Sequence, residues 1–274
     1  MVNLLLSYDR NFQGYIHPVI NSTIANTPGA KIFCMVTSDV TYKPEHPQVE
    51  YIENDPPEVF GSYRYGRHIT GSRAPYNFIH GLALLHGRAD RVIINGIDHV
   101  NLKDMTPIAE GPVSPNGFAG IEHFFSLYEL IKGFAVPPEQ IKNKGQGGAY
   151  DSYGLKQYYR CLPCARMSTL MVDLDLFKKA DAYNEIKYIL ETWDMAEMAA
   201  VNLYLMGRFA RIDKKYSVKN TKERGILEVK KEEDLYGIDY AGPAKPWAKG
   251  VLYGKFWKQY SYPIGGKKHE SDNS

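Results

Sequence analysis

The chain has 274 residues and a formal net charge of +2, from 33 basic and 31 acidic side chains. At 44% hydrophobic and 23% charged it has the composition of an ordinary globular protein. No global field favours nucleic acid, and no apolar run approaches the roughly 20 residues that cross a bilayer. Cys34, Cys161 and Cys164 are too sparse and odd in number for a disulfide framework, which points to a reducing, cytoplasmic setting. The CxxC of Cys161 and Cys164 lacks the second pair that a structural zinc would need.

In chain order, Val2 to Leu6 reads as a buried strand, and the Asp9-Arg10 that follows argues against a secretory signal. Tyr15 to Ala25 places Ile16, Val19, Ile20 and Ile24 at helical spacing, and Pro28-Gly29 stops that helix. Lys31 to Val36 is the next apolar run, so the chain opens as a βαβ unit and a parallel sheet is expected. Val49 to Ile52 follows as a third strand, Ala74 to Leu85 as a helix ended by Gly87, and Arg91 to Ile94 as a short buried strand. Past that strand, Asn95-Gly96-Ile97-Asp98-His99 lies where ligands bind in open α/β sheets. Ser168 to Val172 is expected as another strand, Ile186 to Met206 as one long helical stretch, and Phe209 to Ile212 as a return to the sheet. One large domain over residues 1–262 fits the size to which single cores grow, with 263–274 as a disordered polar tail.

The loop Gly242-Pro243-Ala244-Lys245-Pro246-Trp247 offers a glycine turn, a rigid proline frame and a lysine, a combination able to hold a diphosphate. With Asp239-Tyr240-Ala241 before it, the string closely resembles the HxxGxxKPW motif of glycosyltransferase family 8, the retaining enzymes that include glycogenin and bacterial lipopolysaccharide galactosyltransferases. The resemblance extends over nearly the whole chain. It implies a GT-A fold, a Rossmann-like α/β nucleotide-diphospho-sugar transferase domain with a mostly parallel sheet, and a UDP-sugar donor.

Carried over residue by residue, the resemblance assigns Gly242, Lys245 and Trp247 to donor binding and puts Asp239 where the family has a metal-binding histidine. Ser7 to Phe12 resembles the segment whose Asp and Asn grip uracil and ribose, so Asp9 and Asn11 take those roles; a carboxylate can accept the uracil N3–H. Arg91 to Asp98 matches the strand that carries the family's metal-binding pair, but Gly96 stands at the first Asp. Asp98 and Asp239 remain as ligands for Mn²⁺ or Mg²⁺, with His99 and Asn95 as substitutes. Arg166 replaces the family's sugar-contacting amide. Glu197 and Asn202 survive from its DQDxLN segment, where Met198 and Ala199 stand for the Gln and second Asp. Arg73 is the candidate for an arginine absent from the preceding helix.

The uridine and diphosphate elements thus persist while the sugar-facing ones have changed, which implies a different donor sugar or acceptor geometry. Lys245 then stabilises the leaving group, and Glu197 and Arg166 are the candidates for orienting sugar or acceptor. A nucleotide-sugar-binding protein without catalysis is the alternative. Lys249, Lys255, Lys258, Lys267 and Lys268 interleave with Tyr253, Phe256, Trp257, Tyr260 and Tyr262. That mix suits a membrane surface or a polynucleotide as well as simple packing, so the acceptors in view are a glycan, a lipid-linked glycan or a modified nucleic acid.

Overall fold

A computed structural model of the chain describes residues 1–56, 64–65, 68–69, 74–134, 159–193, 196–221, 229, 231–241, 245–246 and 250–266. The apolar runs become buried strands, because a run buried on both faces needs helices above and below it. They are β1 (Asn3–Tyr8), β2 (Lys31–Val36) and β4 (Arg91–Asn95), joined by the half-buried edge strand β3 (Val49–Glu53), with α1 (His17–Asn26) and α2 (Asn77–Leu85) between them. Next come β5 (His99–Asn101), β6 (Phe118–Ser126), α3 (Leu127–Phe134), β7 (Pro163–Asp173) and α4 (Leu174–Lys179). Further along lie α5 (Ala182–Trp193), α6 (Glu197–Leu205), β8 (Ala210–Arg211), β9 (Val218–Lys219), β10 (Gly237–Asp239) and α7 (Gly254–Gln259).

Seven strands form one sheet in the order β8-β6-β7-β4-β1-β2-β3. β7 runs antiparallel to both β4 and β6, while the remaining pairs are parallel, so the sheet is mostly parallel as the resemblance implies. Period-two alternation splits the strands between two cores. Leu5, Phe33, Met35, Val92 and Ile94 face α2, α5 and α6, while Leu4, Leu6, Ile32, Cys34, Val36 and Ile93 face α1. The result is a helix-sheet-helix sandwich.

β9, β10 and β5 make a second, three-stranded sheet. Val100, Val218, Leu235, Ile238, Tyr240, Trp257 and Tyr260 form its core. Of the C-terminal aromatics, Trp257 and Tyr260 are interior, while Tyr253, Phe256 and Tyr262 pack half-buried against this core. Asn21 on α1 clasps them, its side-chain amide donating to the carbonyls of Tyr260 at 3.0 Å and Tyr262 at 2.7 Å. The expected tail is described as far as Gly266, where Gly266 N–H closes a turn on the Pro263 carbonyl; the rest of it lies outside the described residues. No helix among the described residues is long and apolar enough to cross a membrane.

Two expectations need correction. The stretch Ile186 to Met206 is two helices: Ala196 has an extended backbone that starts α6 afresh, and left-handed Met206 ends it. Apolar periodicity runs through such a break because it registers which side is buried, not where hydrogen bonds restart. β6 was not anticipated, because FAGIEHFFS interrupts its apolar residues with Gly120, Glu122 and His123.

One glycine sets how closely β10 packs on its neighbours. A Cβ on Gly237 would lie 2.2 Å from the Tyr216 carbonyl oxygen and 2.6 Å from His99 Nε2. Only hydrogen fits where β10 passes this close to its neighbours. Gly237→Ala should cost about 1–3 kcal/mol, the usual range for overpacking, read as a lower midpoint in urea unfolding.

Candidate active site

The strand order β3-β2-β1-β4 places the turning point of the winding between β1 and β4, and crevices for ligands open there at the carboxyl ends of the strands. Leu4 pairs with Ile93 and Leu5 with Ile94, so the same register carried past the last pair sets Asp9 level with Asp98. Asp9 is buried, and its Oδ1 accepts the Asn11 N–H at 3.0 Å, while the Asn11 side chain is exposed. The pair thus stands at the edge of the crevice.

The second sheet brings the motif residues across to this edge. Asp239 at the end of β10 pairs with His99 at the start of β5, and Tyr240 N–H continues the ladder by donating to the Asp98 carbonyl at 2.9 Å. Two carboxylates separated by some 140 positions in the sequence thereby share one small volume. Asp239 is 3% exposed, and burial together with the Asp98 charge pushes its pKa up; a Ser168 hydrogen bond and the charges of Arg166 and Lys219 oppose that only in part. Lys245 Nζ makes an ion pair with Asp98 Oδ2 and reaches the Tyr240 carbonyl at 3.4 Å. Arg166, 3% exposed, donates to the Ser217 carbonyl at 2.6 Å. The structure therefore joins Asp98, Asp239, Arg166 and Lys245 of the predicted residues, and it adds Ser168, Ser217 and Lys219. Ser168 lies two positions past Arg166 on one strand, a spacing that puts both on one face and was readable from sequence.

Other predicted residues are placed elsewhere. Asn202 docks α6 on β7: its side chain accepts the Ala165 N–H at 2.6 Å and donates to the Ala165 carbonyl at 2.9 Å. Asn95 donates to the Asn101 side chain at 3.2 Å, and fully buried His99 is pushed down to about 3 by desolvation, hence neutral, beside Tyr216 and Asn101. Gly242, Trp247 and Arg73 lie outside the described residues.

A divalent ion such as Mn²⁺ or Mg²⁺ takes about six oxygen ligands. The described donor set does not fit one: it offers two carboxylates, Lys245 already engages one of them, and position 96 has no side chain. Among the described residues no group of three or more His, Cys, Asp and Glu side chains could hold a metal.

Beside this centre, β6 and the start of β7 border a cavity of about 810 Å³ lined by residues that include Phe124, Phe125, Tyr128, Arg160 and Arg211. Lys219 links the two places, with Nζ 4.2 Å from the centroid of the Phe124 ring.

No protein-family model matches the chain, and no curated protein sequence matches it. Solved structures do. WbbM, described as a bifunctional glycosyltransferase, superposes with a TM-score of 0.67 over 95% of this chain at 15% identity. The chain has the GT-A glycosyltransferase fold. An active-site mutant of LgtC superposes on that fold with a TM-score of 0.65 at 13% identity, covering 96% of this chain and 95% of that one. GlyE of Streptococcus pneumoniae TIGR4 does so at 0.63 and 12% identity over 95% of this chain. The chain spans about half of WbbM (49%) and 60% of GlyE. LgtC has also been solved as a galactosyltransferase with donor and acceptor sugar analogues, at 17% identity to this chain.

Within this fold Glu197 occupies the head of helix α6, 5% exposed, its carboxylate resting on the N–H groups of Glu197 and Met198 and its Oε2 without a partner among the described residues. No described contact joins it to the Asp98 centre. Burial pushes its pKa from 4.5 up to about 7. Folding therefore favours the protonated acid: its contribution to stability is complete below pH 4.5 and is lost as the pH rises through about 7. The difference amounts to about 3 kcal/mol. Urea unfolding across this window should show that decline, and Glu197→Gln should flatten it; an unchanged slope would contradict the assignment.

Proposed function

We propose that the chain is a retaining glycosyltransferase of family 8 type, which takes a UDP-sugar and passes the sugar to a hydroxyl of a glycan acceptor. The observation that carries this reading is the meeting of Asp98, Asp239 and Lys245 at the carboxyl edge of a GT-A sheet. These are three residues that the motif resemblance assigns to the diphosphate end of the donor, and they come from two distant parts of the sequence.

Each part of the donor then has a counterpart. Asp9 accepts the uracil N3–H, and Asn11 reaches the ribose from the exposed side of the same turn. Lys245 and the Gly242 to Trp247 loop hold the diphosphate, and cationic side chains stabilise the negative charge that builds as UDP departs. Retention follows from front-face attack: the acceptor oxygen bonds to the anomeric carbon on the side that UDP leaves, and its proton passes to a diphosphate oxygen, so no protein nucleophile is required. Arg166 takes the place of the sugar-contacting amide, and Glu197 orients acceptor or sugar. The cavity beside the centre supports a glycan acceptor, since aromatic faces and guanidinium groups suit sugar rings with polar edges.

Thermal unfolding with a panel of UDP, UDP-hexoses, UDP-pentoses, UDP-N-acetyl sugars and GDP- and CMP-sugars tests the reading. Uridine nucleotides at a hundredfold excess over Kd should stabilise the protein by about 2.7 kcal/mol, a rise in Tm of several degrees, while the others leave it unchanged. UDP release from one UDP-sugar then separates an enzyme from a protein that only binds. Failure of every uridine nucleotide to stabilise the fold would overturn the proposal.

A further inference from the structure

We infer that Lys245 is a built-in counter-cation of the donor site, occupying the place of a divalent metal, so that the diphosphate binds and departs without one. The inference rests on the UDP-sugar reading above and concerns how the same site manages its charge.

Three observations converge. The first is position. Lys245 Nζ bonds to Asp98 Oδ2 and lies 3.4 Å from the Tyr240 carbonyl, whose residue directly follows Asp239. The ammonium therefore lies at the junction of the two carboxylate-bearing segments. An ammonium has three N–H donors. Among the described residues Asp98 and the Tyr240 carbonyl take two, and the third is directed to a ligand oxygen. The side chains of Lys245 and Asp98 keep 32% and 20% of their surface exposed, so a diphosphate can reach that donor.

The second observation is the missing ligand. Gly96 could not receive a Cβ without displacing Asp98 Oδ1, which would lie 2.9 Å from it. The Asp98 carboxylate is folded back over the position from which another side chain would point, and turned to the ammonium instead. The third is the surrounding charge. Arg166 and Lys219 act on Asp239 while Lys245 engages Asp98, so three cationic side chains attend the two carboxylates. Carboxylates already met by fixed cations hold a free divalent cation less well, and the same cations suit a dianionic diphosphate.

The test is calorimetric titration of UDP into the full chain, in EDTA and in Mn²⁺. The dissociation constant should agree within about twofold between the two buffers. In Lys245→Ala the affinity in EDTA should fall at least about tenfold, and Mn²⁺ should restore most of it, because the vacated carboxylate pair now accepts a metal. Wild-type affinity that falls tenfold or more in EDTA overturns the inference while leaving the donor reading intact. A Lys245→Ala protein that gains nothing from Mn²⁺ also counts against it. Should that variant fail to fold, Lys245→Arg keeps the charge and should retain binding that is insensitive to EDTA; acquired Mn²⁺ dependence would contradict the inference. Absence of UDP binding in both buffers removes the donor reading and this inference with it.

Discussion

Two aspartates confined to one small, largely dry volume impose the constraint on which the rest of the site depends. A buried carboxylate beside a second one is costly unless positive charge or hydrogen-bond donors meet it. In this chain the obligation is met by Lys245 on Asp98, by Ser168 on Asp239, and by the fields of Arg166 and Lys219. With Asp98 counted, these residues come from four segments, so the charge balance also fixes how the loop after β4, strand β7, strand β9 and the segment after β10 sit against one another.

The scaffold that enforces this is small. β5, β9 and β10 are only two or three residues long, yet the Gly237 approach to Tyr216 and the Tyr240 to Asp98 bond leave β10 one register in which to pair. A one-residue slip would turn Asp239 to the opposite face and leave Asp98 with Lys245 alone. The large sheet meanwhile supplies a rigid edge, since its strands are packed on both faces and Asp9 emerges directly from the end of β1.

Much of this was legible in the sequence, for physical reasons that differ by element. β1, β2 and β4 carry uninterrupted apolar runs, and a strand buried on both faces writes itself that way, whereas the edge strand β3 (VEYIE) is only half-buried. β6 escaped because one of its ends lies at a polar rim, so its pattern breaks at Glu122 and His123. The three-residue strands carry too little pattern to be seen locally and exist only through their partners. At the candidate site, Asp98, Asp239 and Lys245 are named by motif resemblance, whereas Ser217 and Lys219 are not, because they join it only through position in the fold. Asn202 shows a use that the sequence does not display. A residue matched to a sugar-facing segment is engaged with backbone, and nothing in its spacing distinguishes the two uses.

The clasp of Asn21 on the carbonyls of Tyr260 and Tyr262 spans about 240 positions of sequence. Closing a loop of that length is entropically slow compared with assembling β1 to β3 from neighbouring segments. During synthesis the first half of the large sheet can form while the chain is still being extended, but the buried amide of α1 has no clasp until the last aromatic turn has emerged. The two-carboxylate centre shares the small sheet with those aromatics, so it is completed late. A nascent chain can therefore carry the first strands of the large sheet before the two-carboxylate centre is assembled, so the centre reports arrival of the C-terminal segment rather than collapse of the core.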